Sequence, residues 1–454
     1  MKTVSETARE IPVIAETDIL VVGGGPAGLA ASLSAAREGV ETMLVERYGC
    51  FGGTITQVGV GSMSWYRSAD TVDAEGIGIE FETRAQEMGA AQGRPRSSRK
   101  GGVLLDTEMF KVVADKLVQE ADIRPLLHSK VVDTVMDGNM IQGVVIESKS
   151  GRQAILAKRV IDASGDADIA AYAGAPFEKL PKNELMGVTV LFSCAGVEKG
   201  AFYEYLKANP ATYRDWGETW EIETSGKEDN LRTSYIAEPF DRARKEGLIP
   251  ADMPIVGSCG PVSETGGSIT LNMNYMFGFD STDVFDLTRA EIEGREQAMY
   301  AIKALKAYVP GFEKAKLKNF GMTLGTRDSR KIVGRTNLTA THVREEGRSD
   351  ESIGIFPEFI DGHGVLVLPT TGRYFQVPLG VIVPQKVENL LVAGRCVAGD
   401  KIAHAATRSM MCCALTGQGA GVTAALSIKN NVASGSASIG EVQTALKNRG
   451  VRID

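Results

Sequence analysis

Residues 19–28 read Ile-Leu-Val-Val-Gly-Gly-Gly-Pro-Ala-Gly, and the thirty positions around them decide the fold. Ile19 to Val22 is an apolar run without alternation, the pattern of a strand buried on both faces of a parallel sheet. Gly23, Gly25 and Gly28 then make a G-x-G-x-x-G turn. The first glycine allows the sharp turn, the second lets a pyrophosphate approach backbone, and the third lets helix pack on strand. An alanine-rich helix over Leu29 to Glu38 follows, stopped by Gly39, and Thr42 to Val45 reads as the next strand. The helix start offers unpaired N–H groups and partial positive charge to phosphate oxygens. Glu46 closes the second strand, where an acidic side chain can take both ribose hydroxyls. Strand, turn, helix and acid in this order point to a bound dinucleotide.

Working outward, the composition narrows the class. The chain has 454 residues, and 50 Lys+Arg against 57 Asp+Glu gives a formal charge of −7. No basic footprint marks a nucleic-acid or anionic-membrane binder. Six cysteines without a C-x-x-C pair argue against zinc, iron–sulfur or disulfide frameworks and for a cytoplasmic setting. The first sixteen residues are polar and mixed in charge, unlike a signal peptide. Met410 to Ile428 carries no charge, but its threonines, glutamine and glycines favour a buried core helix over a membrane span. The 51 glycines are about 11% of the chain against a usual ~7%, a surplus expected where backbone approaches a ligand.

Along the chain, Thr107 to Glu120 reads as a helix. Val131–Met136 and Met140–Ile146 read as a hairpin around Asp137-Gly138. From about residue 175 to 375 the strand–glycine–helix logic lapses. Trp216, Trp220 and polar loops appear, and a long helix is expected to open at Thr288-Arg-Ala-Glu291 in a capping-box pattern and to end before Pro310. Asn389 to Ala393 is again a buried-strand run. The reading is an α/β fold: a tail over 1–16, a discontinuous Rossmann-type domain over 17–174 and 376–454, and an inserted α+β cap over 175–375.

Four segments carry a family resemblance: Val21 to Gly28, Glu46-Arg-Tyr-Gly-Cys-Phe-Gly-Gly-Thr54, Val160-Ile-Asp-Ala-Ser-Gly-Asp166 and Asn389-Leu-Leu-Val-Ala-Gly-Arg395. With them the chain resembles FAD-dependent oxidoreductases of the glutathione-reductase-type Rossmann class, which includes fumarate reductase flavoproteins. Gly325-Thr-Arg-Asp-Ser-Arg330, Ala403-His404 with Arg408, and Thr416-Gly-Gln-Gly-Ala-Gly421 extend the resemblance to a bacterial family known as FAD-dependent oxidoreductase. The resemblance implies FAD as cofactor, with Gly23, Gly25, Pro26, Ala27 and Gly28 on its pyrophosphate and Glu46 and Arg47 on its AMP half. It places Gly52, Gly53 and Thr54 along the ribityl and flavin, Val131 at the adenine, and Ala163, Ser164 and Gly165 closing the AMP side. Arg395 stands where many relatives carry an aspartate for the ribityl or phosphate, and Asp400 follows five residues later. Gly417, Gln418 and Gly419 would lie beside the flavin ring at the opening of a helix whose dipole favours reduction.

Hydride transfer needs a substrate fixed over the flavin, commonly by a cation, and an acid or base for the proton. His404 and Arg408 stand four apart, on one face of a helix. Arg327 and Arg330 are candidate anion clamps whose other reading is an interdomain salt bridge. His363, in Asp361-Gly-His-Gly, and Tyr374 are candidate groups from the cap. Cys412-Cys413 reads as a core pair, and Arg94, Arg96 and Arg99 as a solvated loop. A second G-x-G-x-x-G frame is missing, so electrons are expected to pass to oxygen, a quinone or a protein, or to come from a diffusible donor. The expected function is hydride transfer between FAD and a small organic substrate, with carboxylates among the candidates and a homo-oligomer compatible. The competing readings are a flavin-dependent lyase, hydratase or isomerase without net redox, and a flavoprotein subunit of an electron-transfer complex.

Overall fold

The computed structural model describes residues 2–64, 66, 74–93, 102–209, 220–223, 237–253, 255–264 and 266–454. Trp216 and the arginines at 94, 96 and 99 lie outside the described residues. The centre is a seven-stranded sheet in the order Arg124–Leu126, Thr42–Val45, Val13–Val22, Gly151–Asp162, Met140–Ser148, Lys130–Asp137, with Leu390–Val392 also paired to Gly151–Asp162. The strands that read as apolar runs pair in parallel: Ile19 faces Thr42 and Val22 faces Val45, while Val160 faces Leu390. The strand Gly151–Asp162 takes two partners on one edge. Its first half pairs antiparallel with Gly143–Ser148, and its last three residues pair with Leu390–Val392. The hairpin turns at Asp137-Met140 as the Asp-Gly signal requires. The fold is therefore mixed α/β, of the Rossmann type.

The first helix, Pro26–Arg37, is buried over its first ten residues. It packs on the core helix Met410–Lys429, the one described helix long and apolar enough to cross a membrane. Most of that helix is inside the protein, including Cys412 and Cys413. Burial pushes the Cys413 thiol up to about 12, so it stays protonated.

A four-stranded antiparallel sheet, ordered Ile255–Cys259, Ile269–Asn274, Phe192–Ala195, Lys316–Phe320, carries the insert. Its apolar core draws on residues between Phe192 and Ala315, whereas Ile332, Val343, Phe356, Val367 and Phe375 join the core of the central sheet. The insert's own apolar cluster draws on buried residues up to Ala315. The chain from 331 onward reads as cap because its short strands lack the βαβ rhythm, yet its apolar faces cover the Rossmann core. The long helix opens at Val284, not Thr288: Asp283 accepts hydrogen bonds from the N–H groups of Phe285 and Asp286. The expected capping partner Glu291 instead receives Leu324 N–H and pairs with Arg295. An aspartate one turn earlier is the better cap.

Candidate functional site

Ligands in open α/β sheets bind beyond the carboxyl ends of the strands. Here those ends converge through backbone bonds: Gly23 N–H reaches Val45 O, Glu46 N–H reaches Leu126 O, Ser129 N–H reaches Glu46 O, and Ala163 N–H reaches Val22 O. Each glycine of the turn has its own reason. A Cβ on Gly23 would stand 2.4 Å from Ala163 O, and one on Gly28 would stand 1.7 Å from Gly23 O. At Gly25 a Cβ would meet only Gly53 Cα, at 3.7 Å. Gly25 is thus the glycine that packing does not demand, and the one whose face is open.

The first helix starts on Gly25 with Pro26 in its first turn and no side-chain cap. Its leading N–H groups stay available for phosphate oxygens. Glu46 is 5% exposed, and its carboxylate receives Gly24 N–H at 2.7 Å and Tyr48 N–H at 2.9 Å. Those bonds fix it at the mouth of the turn with lone pairs left for ribose. Arg47 is exposed and lies over the Tyr48 ring. Gly52, with φ +110, ties the next segment to the turn by Gly52 N–H to Gly24 O, and Gly53 leads into a π-helix over Thr54–Val58. Val131 lies on the edge strand of the sheet. These residues fit FAD: open backbone for the pyrophosphate, an anchored acid for the ribose, and a glycine pair continuing toward the flavin.

Other residues expected at the cofactor have partners within the chain. Asp400 caps the helix Lys401–Thr407 through Ile402 N–H and Ala403 N–H, and its second oxygen receives Ala340 N–H at 2.6 Å. Its carboxylate is occupied by backbone. Arg395 is equally committed: it donates to Gly165 O, Thr326 O and Asp166 Oδ1. Thr416 to Gly421 does not open a helix but lies mid-way along Met410–Lys429. A Cβ on Gly417 would stand 2.1 Å from Ala27 O, Gly419 faces Ile353, and Gln418 Oε1 receives Ile77 N–H at 2.9 Å. Their small size serves helix packing, and Gln418 caps another helix from a distance. The helix Met410–Lys429 opens instead at Ser409, with no side-chain cap. Asp162, fully buried, receives the N–H groups of Ser164, Ile169 and Ala170; burial lifts its pKa to about 6.

A second cluster forms where the segment Gly325–Arg330 crosses between insert and core. Arg330 pairs with Asp168 at 2.9 Å. Ser329 donates to Asp166. Arg327 differs: it stacks on the Tyr275 ring at 4.6 Å and donates to Gly187 O, and no carboxylate pairs with it among the described residues. Arg408 pairs through Nη2 with Asp361, while its buried Nε has no partner. Desolvation, and then the nearby Arg408 charge, lower the pKa of the Arg327 guanidinium. Tyr374 stands elsewhere, between the guanidinium groups of Arg348 and Arg452.

Sequence reasoning passed over the hub of this cluster, Asp328. Its side chain is fully buried. Lys331 Nζ lies 2.7 Å from Oδ1, His404 Nε2 3.5 Å from Oδ1, and His363 Nε2 3.5 Å from Oδ2. Burial opposes the Asp328 anion, but His363, His404 and Lys331 outweigh it and hold its pKa well below the usual carboxylate range. The signal was present in Gly325–Arg330: a lone acid among arginines in a segment with no helical or strand period.

His404 Nε2 lies 2.9 Å from Arg327 O, its Nδ1 is buried without a partner, and burial lowers its pKa to about 3. The ring is neutral, with the proton on Nε2. Because the folded-state pKa lies below the ordinary 6.5, this histidine's contribution is complete above pH 6.5 and is lost as pH falls toward 3. Relative to His404→Gln, the wild type should lose up to about 1.4 kcal/mol per pH unit between pH 6 and 4. Urea unfolding of both proteins across that window checks this; parallel curves would refute it.

Comparison with known proteins gives one family match and several distant relatives. Residues 18–446 match the family described as FAD dependent oxidoreductase. A thiamine thiazole synthase of Saccharolobus islandicus is 28% identical over 213 residues, 44% of this chain and 70% of that protein. A digeranylgeranylglycerophospholipid reductase of Picrophilus torridus is 28% identical over 178 residues, 37% of this chain and 44% of that protein. Among solved structures, a geranylgeranyl bacteriochlorophyll reductase-like protein of Thermoplasma acidophilum aligns over 96% of this chain and 83% of its own, with TM-score 0.47 and 14% identity.

Proposed function

This chain belongs to the FAD-dependent oxidoreductase family, and from that premise we propose that it moves hydride between FAD and a small organic carboxylate held at Arg327 and Arg408. The observation that carries the substrate class is a charge count. Of two neighbouring guanidinium groups only Arg408 has a carboxylate partner among the described residues, Asp361, and Arg408 Nε has no hydrogen-bond partner. A planar anion satisfies both, and arginine forks suit a carboxylate.

In this reading the N–H groups at Gly25 to Gly28 would hold the FAD pyrophosphate, Glu46 the adenine-side ribose, and Gly52, Gly53 and Thr54 the ribityl arm. The positive dipole end of the core helix is at Ser409, not Thr416. FAD supplies two-electron acceptance and donation when bound. The chain's residues orient the carboxylate and keep its carbon in reach.

Anaerobic mixing of the yellow protein with a panel of organic acids tests the redox step. Bleaching of the flavin absorbance supports it; product formation with no bleaching moves the protein to the lyase, hydratase or isomerase reading. For a bleaching acid, Arg327→Ala and Arg408→Ala should each raise KM about 10- to 100-fold, the range for a lost charge-assisted hydrogen bond, with FAD content unchanged. An unchanged KM in both variants places the substrate elsewhere.

A further inference from the structure

The Asp361-Gly362-His363-Gly364 turn carries a residue that its backbone does not favour. Strands Ile360–Gly362 and Val365–Val367 pair antiparallel, with Gly362 facing Val365, so His363 and Gly364 form a two-residue loop. Their φ values are +52 and +78, the backbone of a type I′ turn. Asparagine or glycine is favoured at the first of these positions, and a histidine there carries backbone strain. The tip of such a turn usually lies in water, but the His363 side chain is only 8% exposed.

Where the ring goes accounts for the strain. His363 Nε2 faces Asp328 Oδ2 at 3.5 Å, and both atoms are buried with no hydrogen-bond partner. The other Asp328 oxygen is engaged by Lys331, so the carboxylate turns one free lone-pair edge toward this ring alone. Of the two His363 nitrogens, only Nε2 is among the buried unpartnered atoms. Nδ1 is the ring nitrogen on the edge away from Asp328. The charged and titratable groups around the pair are Lys331 and His404 on the Asp328 side, and Asp361 with its partner Arg408 on the turn side.

We propose that His363 is the proton-transferring residue for a carboxylate substrate bearing an oxidisable carbinol, and that Asp328 is its positioning residue, holding the ring with the proton on Nε2 and the lone pair on Nδ1. This rests on the hydride-transfer reading. The C–H bond of the carbinol breaks with its electron pair, which leaves as hydride to the oxidised flavin. The O–H bond breaks with its proton going to Nδ1, and its electron pair forms the C=O bond. The products are a 2-keto acid, two-electron-reduced flavin and an imidazolium next to the Asp328 carboxylate. The reverse direction returns proton and hydride to the ketone.

The test uses 2-hydroxy acids as probes on the FAD-loaded protein, with His363→Asn as the main variant because asparagine suits the type I′ position and should fold. Anaerobic flavin bleaching should slow 10²- to 10⁴-fold in His363→Asn with FAD content and carboxylate KM within threefold of wild type. Bleaching by His363→Asn within threefold of the wild-type rate overturns the assignment. Nitrogen NMR of histidine-labelled protein, independent of turnover, should show neutral His363 as the Nε2–H tautomer in wild type and a tautomer mixture in Asp328→Asn. An identical tautomer signal in both overturns the role of Asp328. If no acid in the panel bleaches the wild-type flavin, the hydride-transfer reading falls with its carbinol substrate, and the tautomer signal alone decides the pair.

Discussion

Gly25→Val should yield a folded, colourless protein. The added Cβ meets no obstacle in the chain itself, since it would stand 3.7 Å from Gly53 Cα, and Gly25 has φ −73, which any residue adopts. What it fills is the open face before the first helix, where the unpaired N–H groups lie. Cβ and its methyl groups hold the pyrophosphate off the backbone, breaking hydrogen bonds that strengthen when made to charged oxygens. FAD affinity should fall at least 100-fold, about 2.7 kcal/mol. The flavin-free variant should unfold at the temperature of flavin-free wild type within a few degrees. Gly23→Ala and Gly28→Ala make the contrast: each drives a Cβ into backbone, so both should lose stability even without FAD. Stoichiometric FAD in purified Gly25→Val would refute the pyrophosphate site.

That contrast shows how far residues 19–46 could be read and where reading stopped. The turn, both flanking strands and the acid at Glu46 were legible because backbone constraint there is local: a φ of +103 at Gly23 or an apolar run in a parallel strand leaves its mark on consecutive residues. The partners of Asp400 and Arg395 were not legible, for the opposite reason. Their side chains are consumed by partners sixty or more residues away, Ala340 N–H and the Asp166 carboxylate, which no spacing reveals. Asp328 escaped notice for the same cause, since its partners His363 and His404 come from separate loops and helices. Short strands between 331 and 375 read as cap by their rhythm, while their apolar side chains join the central core.

The glycines of the core helix supply the largest expected loss of stability. Gly421→Ala places a Cβ 2.2 Å from Ala31 O and 2.9 Å from Ser34 Cβ, and Gly417→Ala places one 2.1 Å from Ala27 O. Both obstacles include backbone of the first helix, which no rotamer change removes. The two helices must part, and neither is free to move: one is held between sheet and pyrophosphate turn, the other by its buried faces. Overpacking of this kind costs about 1–3 kcal/mol and occasionally more; backbone obstacles put these variants at or above the upper end. Gly440→Ala is the internal control. It sits in the helix Ile439–Asn448 with nothing within 4 Å of its Cβ, so the same substitution should stabilise by about 0.4–1 kcal/mol. The measurement is urea unfolding of flavin-free protein, which separates helix packing from flavin contact. If Gly417 and Gly421 were small only to admit the flavin ring, their alanine variants would unfold like wild type without FAD and bind FAD poorly. The geometry requires the reverse order: lost stability first, with weaker FAD binding as its consequence through the displaced first helix.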